Sequence, residues 1–211
     1  MKIALATKNE GKIREIVSIF DGMDLELLDY RDLPDYEAPP EEGETFLENA
    51  LAKAKAVHEA TGLPALADDS GLEVEALDWG PGVRSARYGG EGLNDRQRSM
   101  RLLGEMREVP SEKRAARFRC VMVLYPAPGT EDEALVTEGL FHGTIASGPL
   151  GENGFGYDPI FMVPNRNVTV AQMPSEEKNR MSHRYRAGIE MRYLLAERIG
   201  KATGKDGDAG E

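Results

Sequence analysis

Between residues 2 and 69, short apolar segments alternate with longer amphipathic ones, an order that few folds accept. KIALAT and LELLDY read as strands, and the segment from about Glu10 to Phe20 between them has helical period. A second helix is expected from about Thr45 to Thr61. Thr45 and Glu48 form its T-x-x-E capping box, and Phe46, Leu47, Ala50, Leu51, Ala54 and Val57 make one apolar stripe. Gly62 and Pro64 stop that helix, and PALADD returns to strand. A β-α-β-α-β order predicts an α/β fold. Further on, ARFRCVMVLY and LVTEGLFHGTIA read as long paired strands across the turn-forming stretch from Pro126 to Asp132. Asn94 and Gln97 are placed to cap a helix through about Glu108, and Pro174 to Ile199 is helical in pattern. The expected architecture is a mixed β-sheet with helices forming two lobes around a central cleft. One domain of that kind fits residues 1–199, and GKATGKDGDAGE, residues 200–211, is expected to be a disordered polar tail.

The net charge of −11 argues against a nucleic-acid binder, whose affinity comes largely from phosphate neutralisation. A small phosphorylated ligand is still compatible, provided lysines or a cation gather locally. No apolar run reaches the roughly 18 residues of a membrane span, and MKIALATKNE lacks the apolar core of a signal peptide. The single cysteine, Cys120, fits a reducing cytoplasm and lies in an apolar strand, where burial is its expected fate.

Five stretches carry possible chemistry. Thr7-Lys8-Asn9-Glu10-Gly11-Lys12 turns from the first strand into the first helix, where backbone N–H groups suit an anion. The plainer alternative is that Asn9 caps the helix and the lysines are solvated. Glu41 and Glu42 lie in an acidic loop before the second helix, and Lys53 stands two turns inside it, able to meet an anion or to lie along the surface. Asp68 and Asp69 end an apolar strand, where α/β sheets place ligands, and alternation should give the two side chains different roles. With no histidine or cysteine spacing nearby, such a pair suits a hard cation, or else a turn cap. Gly154-Phe155-Gly156-Tyr157-Asp158-Pro159 frees the backbone around an aromatic ring and offers a stacking platform; Phe161 is expected in the core. Finally, Ser182 can start a new helix with His183 and Arg184 in its first turn, a placement that disfavours cations and so hints at a ligand; in an unbroken helix both would be surface residues.

In order along the chain stand T-K-N-x-G-K, T-F-x-E-N-A-x-x-K-A, A-D-D-S-G-L, S-A-R-Y, G-F-G-Y-D-P-I-F and E-K-N-x-x-S-H-R. Together they resemble the inosine/xanthosine triphosphate pyrophosphatases, which cleanse the nucleotide pool of non-canonical purines, and the resemblance reaches to about Ile199. It implies an elongated mixed α/β fold, a cytoplasmic homodimer, and Mg²⁺-dependent hydrolysis of ITP, dITP and XTP to the monophosphate and pyrophosphate. By position it implies Asp69 as general base and metal residue, Glu41 (or Glu42) as the second metal residue, and Ser70 at the substrate. Thr7, Lys8, Asn9, Glu10, Gly11, Lys12, Lys53 and Lys178 would hold the triphosphate. Phe155, Gly156, Tyr157, Asp158, His183 and Arg184 would hold the base. Arg184 can only donate hydrogen bonds, which suits a 6-oxo purine and opposes the 6-amino group of adenine. A pyrimidine-directed Maf-like enzyme, a non-hydrolysing nucleotide sensor and an aspartyl-phosphate phosphatase are the rival readings; the last lacks its D-x-D-x-T spacing.

Overall fold

A computed structural model describes residues 1–204 of the 211, with side chains to residue 200. The strands are β1 (Lys2–Leu5), β2 (Glu26–Leu28), β3 (Ala65–Val74), β4 (Gly80–Pro81), β5 (Ala115–Tyr125), β6 (Leu135–Ile145) and β7 (Phe161–Met162). The helices are α1 (Glu10–Phe20), α2 (Phe46–Thr61), α3 (Asp95–Glu105), α4 (Ser175–Asn179) and α5 (His183–Gly204). The strands pair in the order β2-β1-β3-β5-β6-β7, with β4 on β3, and both parallel and antiparallel pairs occur. The chain therefore has the mixed α/β architecture that its alternation predicts. It divides into two compact units: Met1–Asp69, Val121–Gly139 and the described residues from Arg184 onward form the first; Ser70–Cys120 and Leu140–His183 form the second.

In the first unit β1 pairs in parallel with β2 (Ile3 opposite Leu27) and with β3 (Leu5 opposite Leu66). Ile3, Ala4 and Leu5 are fully buried, as expected for a continuous apolar run covered on both faces. Asn9 caps α1 by accepting the Lys12 N–H, as the plainer reading of that turn has it, but the Lys12 side chain is not simply solvated, since its ammonium reaches Asp68. The predicted Thr45–Glu48 capping box opens α2, and Gly62 closes it in the left-handed conformation. Apolar faces of α1 (Ile13, Ile16, Ile19), α2 (Ala50, Ala54, Val57) and α5 (Ala187, Met191, Leu195) fill the core. Gly188 lets α5 approach α1 closely, because a β-carbon there would lie 2.7 Å from Ile19.

The core of the second unit gathers Leu72 and Val74 from β3, Leu102 from α3, Phe118 from β5, Phe141 from β6, and Ile160 and Phe161. Phe161 is buried as expected, with its ring 4.5 Å from that of Phe118. Asn94 and Gln97 form the capping box of α3, which ends at Glu105 rather than near Glu108.

Two expectations about element ends need correction. β3 does not stop at the aspartates but runs on to Val74, its last residues pairing antiparallel with β4. Asp-Asp-Ser-Gly resembles a turn in composition, yet cationic partners allow the carboxylates to sit inside a buried strand. At the other end, α5 continues past residue 199 to Gly204; the remainder of the expected tail, residues 205–211, lies outside the described residues.

Candidate active site

Alternation along β3 sends Asp68 and Asp69 to different partners, as the strand period requires. Asp68 is 1% exposed. Its Oδ2 accepts from Lys12 Nζ at 3.0 Å and from Arg184 Nη2 at 3.0 Å and Nε at 3.2 Å. Burial alone would raise its pKa, but the charges of Arg184, Lys12 and Lys53 outweigh it and hold the carboxyl well below the usual range. The same guanidinium reaches Glu15 on α1 through Nη1, so two buried carboxylates share one arginine.

Asp69 has a different setting. Its Oδ1 receives Lys53 Nζ at 2.8 Å, and the same ammonium lies 2.9 Å from Glu41 Oε1. Its Oδ2 accepts from the Asn49 side chain at 3.1 Å. The Oδ1 of Asn49 in turn accepts the Gly43 N–H at 2.8 Å, tying the acidic loop to Asp69 and orienting the amide. Burial pushes the Asp69 pKa above the ordinary aspartate value, against the pull of Lys53 and Lys12. Lys53 responds conversely: burial works against its charge, but Asp69, Asp68 and Glu41 raise its pKa. A carboxylate that is easier to protonate than usual, beside one that is harder, divides a carboxylate pair between a proton acceptor and a fixed charge.

The donors present suit one kind of metal ion. Among the described residues no three His, Cys, Asp or Glu side chains gather into a cage. Two carboxylates, Asp69 and Glu41, nevertheless converge on one cationic group, the Lys53 ammonium. That donor set fits a hard cation that takes one or two protein carboxylates and completes its shell with water and phosphate oxygens. Glu42, the alternative to Glu41, is exposed.

The remaining residues expected at a triphosphate differ in setting. Thr7 Oγ1 accepts the Asn9 N–H at 3.2 Å and so shapes the turn. Lys8 is exposed, with its ammonium 5.4 Å from the Tyr36 ring centroid. Glu10 accepts a hydrogen bond from the Tyr30 hydroxyl at the surface, and Gly11 lies in the first turn of α1.

A second cluster lies in the second unit. Phe155 is half-buried between two glycines of positive φ, Gly154 at 78° and Gly156 at 62°. Its N–H donates to Asp158 Oδ2 at 2.9 Å, and the same oxygen binds Lys178 Nζ at 2.7 Å. That ammonium stands 4.5 Å from the centre of the Phe155 ring. Lys178, expected with the triphosphate, meets the aromatic loop here. His183 opens α5, as the new-helix reading anticipated, and its ring stacks on Phe118 with centroids 4.9 Å apart. Ser70 is half-buried in β3.

Two expected ligand contacts are otherwise occupied. Tyr157 points into the core, its hydroxyl donating to the Ser85 carbonyl at 2.9 Å, so its side chain anchors the loop. Arg184 is 1% exposed, and its Nε and Nη2 donate to Asp68 while Nη1 donates to Glu15. Glu15 has no place in the sequence motifs, and Asn49, the asparagine of T-F-x-E-N-A-x-x-K-A, is given no role by them. Asn49 did leave a signal, a polar residue flanked by Phe46 and Ala50 on the apolar side of α2; Glu15 left none.

The Ham1 family model matches residues 3–193. The chain is 48% identical over 186 residues to the dITP/XTP pyrophosphatase of Geobacter sulfurreducens, covering 88% of this chain and 92% of that protein. It is 52% identical over 196 residues to the dITP/XTP pyrophosphatase of Thermus thermophilus, covering 92% and 90% respectively. Among solved structures, a HAM1 protein from Coxiella burnetii superposes with a TM-score of 0.81 at 39% identity, covering 93% of this chain and 99% of that one.

Proposed function

The chain belongs to the Ham1 family, and we propose that it hydrolyses non-canonical purine nucleoside triphosphates such as dITP, ITP and XTP to the monophosphate and pyrophosphate. The observation that carries the reading is the convergence of Asp69 and Glu41 on one cationic position, next to a second carboxylate, Asp68, that is locked by Lys12 and Arg184.

In this reading Asp69 takes the proton of a water molecule whose oxygen attacks the α-phosphorus. The bond from that phosphorus to the bridging oxygen breaks, and pyrophosphate leaves with the electron pair. The raised pKa of Asp69 favours proton uptake, and Asn49 holds the carboxylate in one orientation. Lys12 and Lys53 offset phosphate charge, with Lys8 and the turn from Thr7 to Lys12 alongside. Asp69 and Glu41 would hold Mg²⁺, which when bound offsets the charge that develops on phosphate oxygens. No covalent intermediate enters: Cys120, the one thiol, is fully buried.

The second cluster supplies what a purine needs. Phe155 offers a stacking face, and Lys178 beside it offers a donor that suits a 6-oxo group and opposes a 6-amino group. We therefore place Lys178 with the base, with His183 and Ser70 as further contacts, and assign Arg184 to holding Asp68. No described helix is long and apolar enough to cross a membrane, and the family resemblance favours a cytoplasmic homodimer. Pyrophosphate release from dITP, ITP, XTP, dATP and dGTP, with Mg²⁺ and then with EDTA, tests the reading. It fails if the canonical nucleotides are cleaved as fast as dITP and XTP.

A further inference from the structure

The Phe155 loop is held by a helix to which neither the motifs nor the mechanism assign a role. Asp95 Oδ2, in the first turn of α3, accepts the Gly156 N–H at 2.8 Å. One turn later Ser99 Oγ donates to the Gly156 carbonyl at 3.3 Å. Both backbone polar groups of one glycine are thus held by two side chains of one helix. We propose that Asp95 and Ser99 are positioning residues for base recognition, fixing Gly156 and through it the pose of the Phe155 ring.

Three features make these bonds matter. Gly154 and Gly156 both adopt positive φ, so the backbone around Phe155 has the widest conformational choice and needs external anchors. A hollow of about 470 Å³ borders Asp95, Ser99, Gly154, Phe155, Gly156 and Pro159, so close packing does not hold the loop on that side. The helix that carries these side chains is capped: the Asn94–Gln97 capping box fixes the start of α3, and Arg98 Nη1 lies 3.4 Å from the other oxygen of Asp95. Asp158 and Lys178 hold residue 155 itself. Asp95 and Ser99 touch no ligand in this scheme; they act through the ring.

The inference rests on the proposed function, and the experiment separates the two. Steady-state kinetics with dITP and Mg²⁺ are measured for the wild type, Asp95→Ala, Asp95→Asn and Ser99→Ala, together with inhibition by inorganic pyrophosphate, which probes the phosphate end alone. Asp95→Ala is expected to raise KM for dITP about tenfold and to narrow the dITP-over-dATP ratio, as loss of a charged hydrogen bond allows. Its pyrophosphate inhibition constant should stay within about twofold. Asp95→Asn, which keeps an acceptor oxygen, should restore most of the wild-type KM, and Ser99→Ala should show a smaller rise of about two- to fivefold. An unchanged KM in Asp95→Ala, or an equal loss of pyrophosphate binding, overturns the inference. Should Asp95→Ala fail to fold, Ser99→Ala decides by the same criteria. A wild type that leaves dITP intact removes the functional reading and the inference with it.

Discussion

Arg184 holds Asp68 through two nitrogens on a single carboxylate oxygen, at 3.0 Å and 3.2 Å. Neither residue can lose the other cheaply, since both are buried and Glu15 leans on the same guanidinium. Arg184→Ala is therefore expected to destabilise the fold by about 3–5 kcal/mol, leaving two buried carboxylates without their arginine. Urea unfolding measures this, and a shift below about 1 kcal/mol would show that the pair contributes little.

The depressed pKa of Asp68 predicts a pH dependence of stability. In the unfolded chain Asp68 takes its proton near the ordinary value of 3.8, and in the folded protein only at much lower pH. Within that window the unfolded state binds more protons, so the contribution is complete above about pH 4 and fades as the solution becomes more acid. Asp69, with its raised pKa, pulls the other way just above 3.8. The difference between wild type and Asp68→Asn isolates the effect: wild-type stability should fall more steeply than the variant's from about pH 4 down to about pH 2. Parallel curves would refute it.

Phe155 is expected to act on binding more than on chemistry. Phe155→Ala should raise KM for dITP by about five- to hundredfold, the range of one lost base–aromatic contact, with kcat reduced far less. A variant with unchanged KM would move the base elsewhere.

Lys53 occupies the position between Asp69 and Glu41 that a divalent cation would share. Glu41→Gln should weaken Mg²⁺ dependence, raising the concentration for half-maximal activity about tenfold, while EDTA abolishes activity in the wild type. Activity that persists in EDTA would remove the metal from the account.

Much of this was legible in the chain because its signals are local. The capping boxes at Thr45 and Asn94, the helix restart at Ser182 and the burial of Phe161 and Cys120 follow from neighbours in sequence. What was illegible depended on distant partners. The aspartates of β3 looked like a strand end because nothing nearby supplies the cations that let them lie inside it. Glu15 carries no local signal, its arginine lying 169 residues away. Tyr157 stands in a motif that implies a ligand, and only its contact with the Ser85 carbonyl identifies its side chain as an anchor. The donors of Arg184 are evident from its chemistry, but their partners Asp68 and Glu15 lie far away in sequence.

The most direct test of the account is Asp69→Asn, measured both for dITP binding by calorimetry in the presence of Mg²⁺ and for turnover. The substitution removes the proton acceptor, while an amide can still take the Asn49 hydrogen bond through its oxygen. The expected result is retained binding with turnover reduced at least about a hundredfold. Turnover within a few-fold of wild type would mean that Asp69 is not the base.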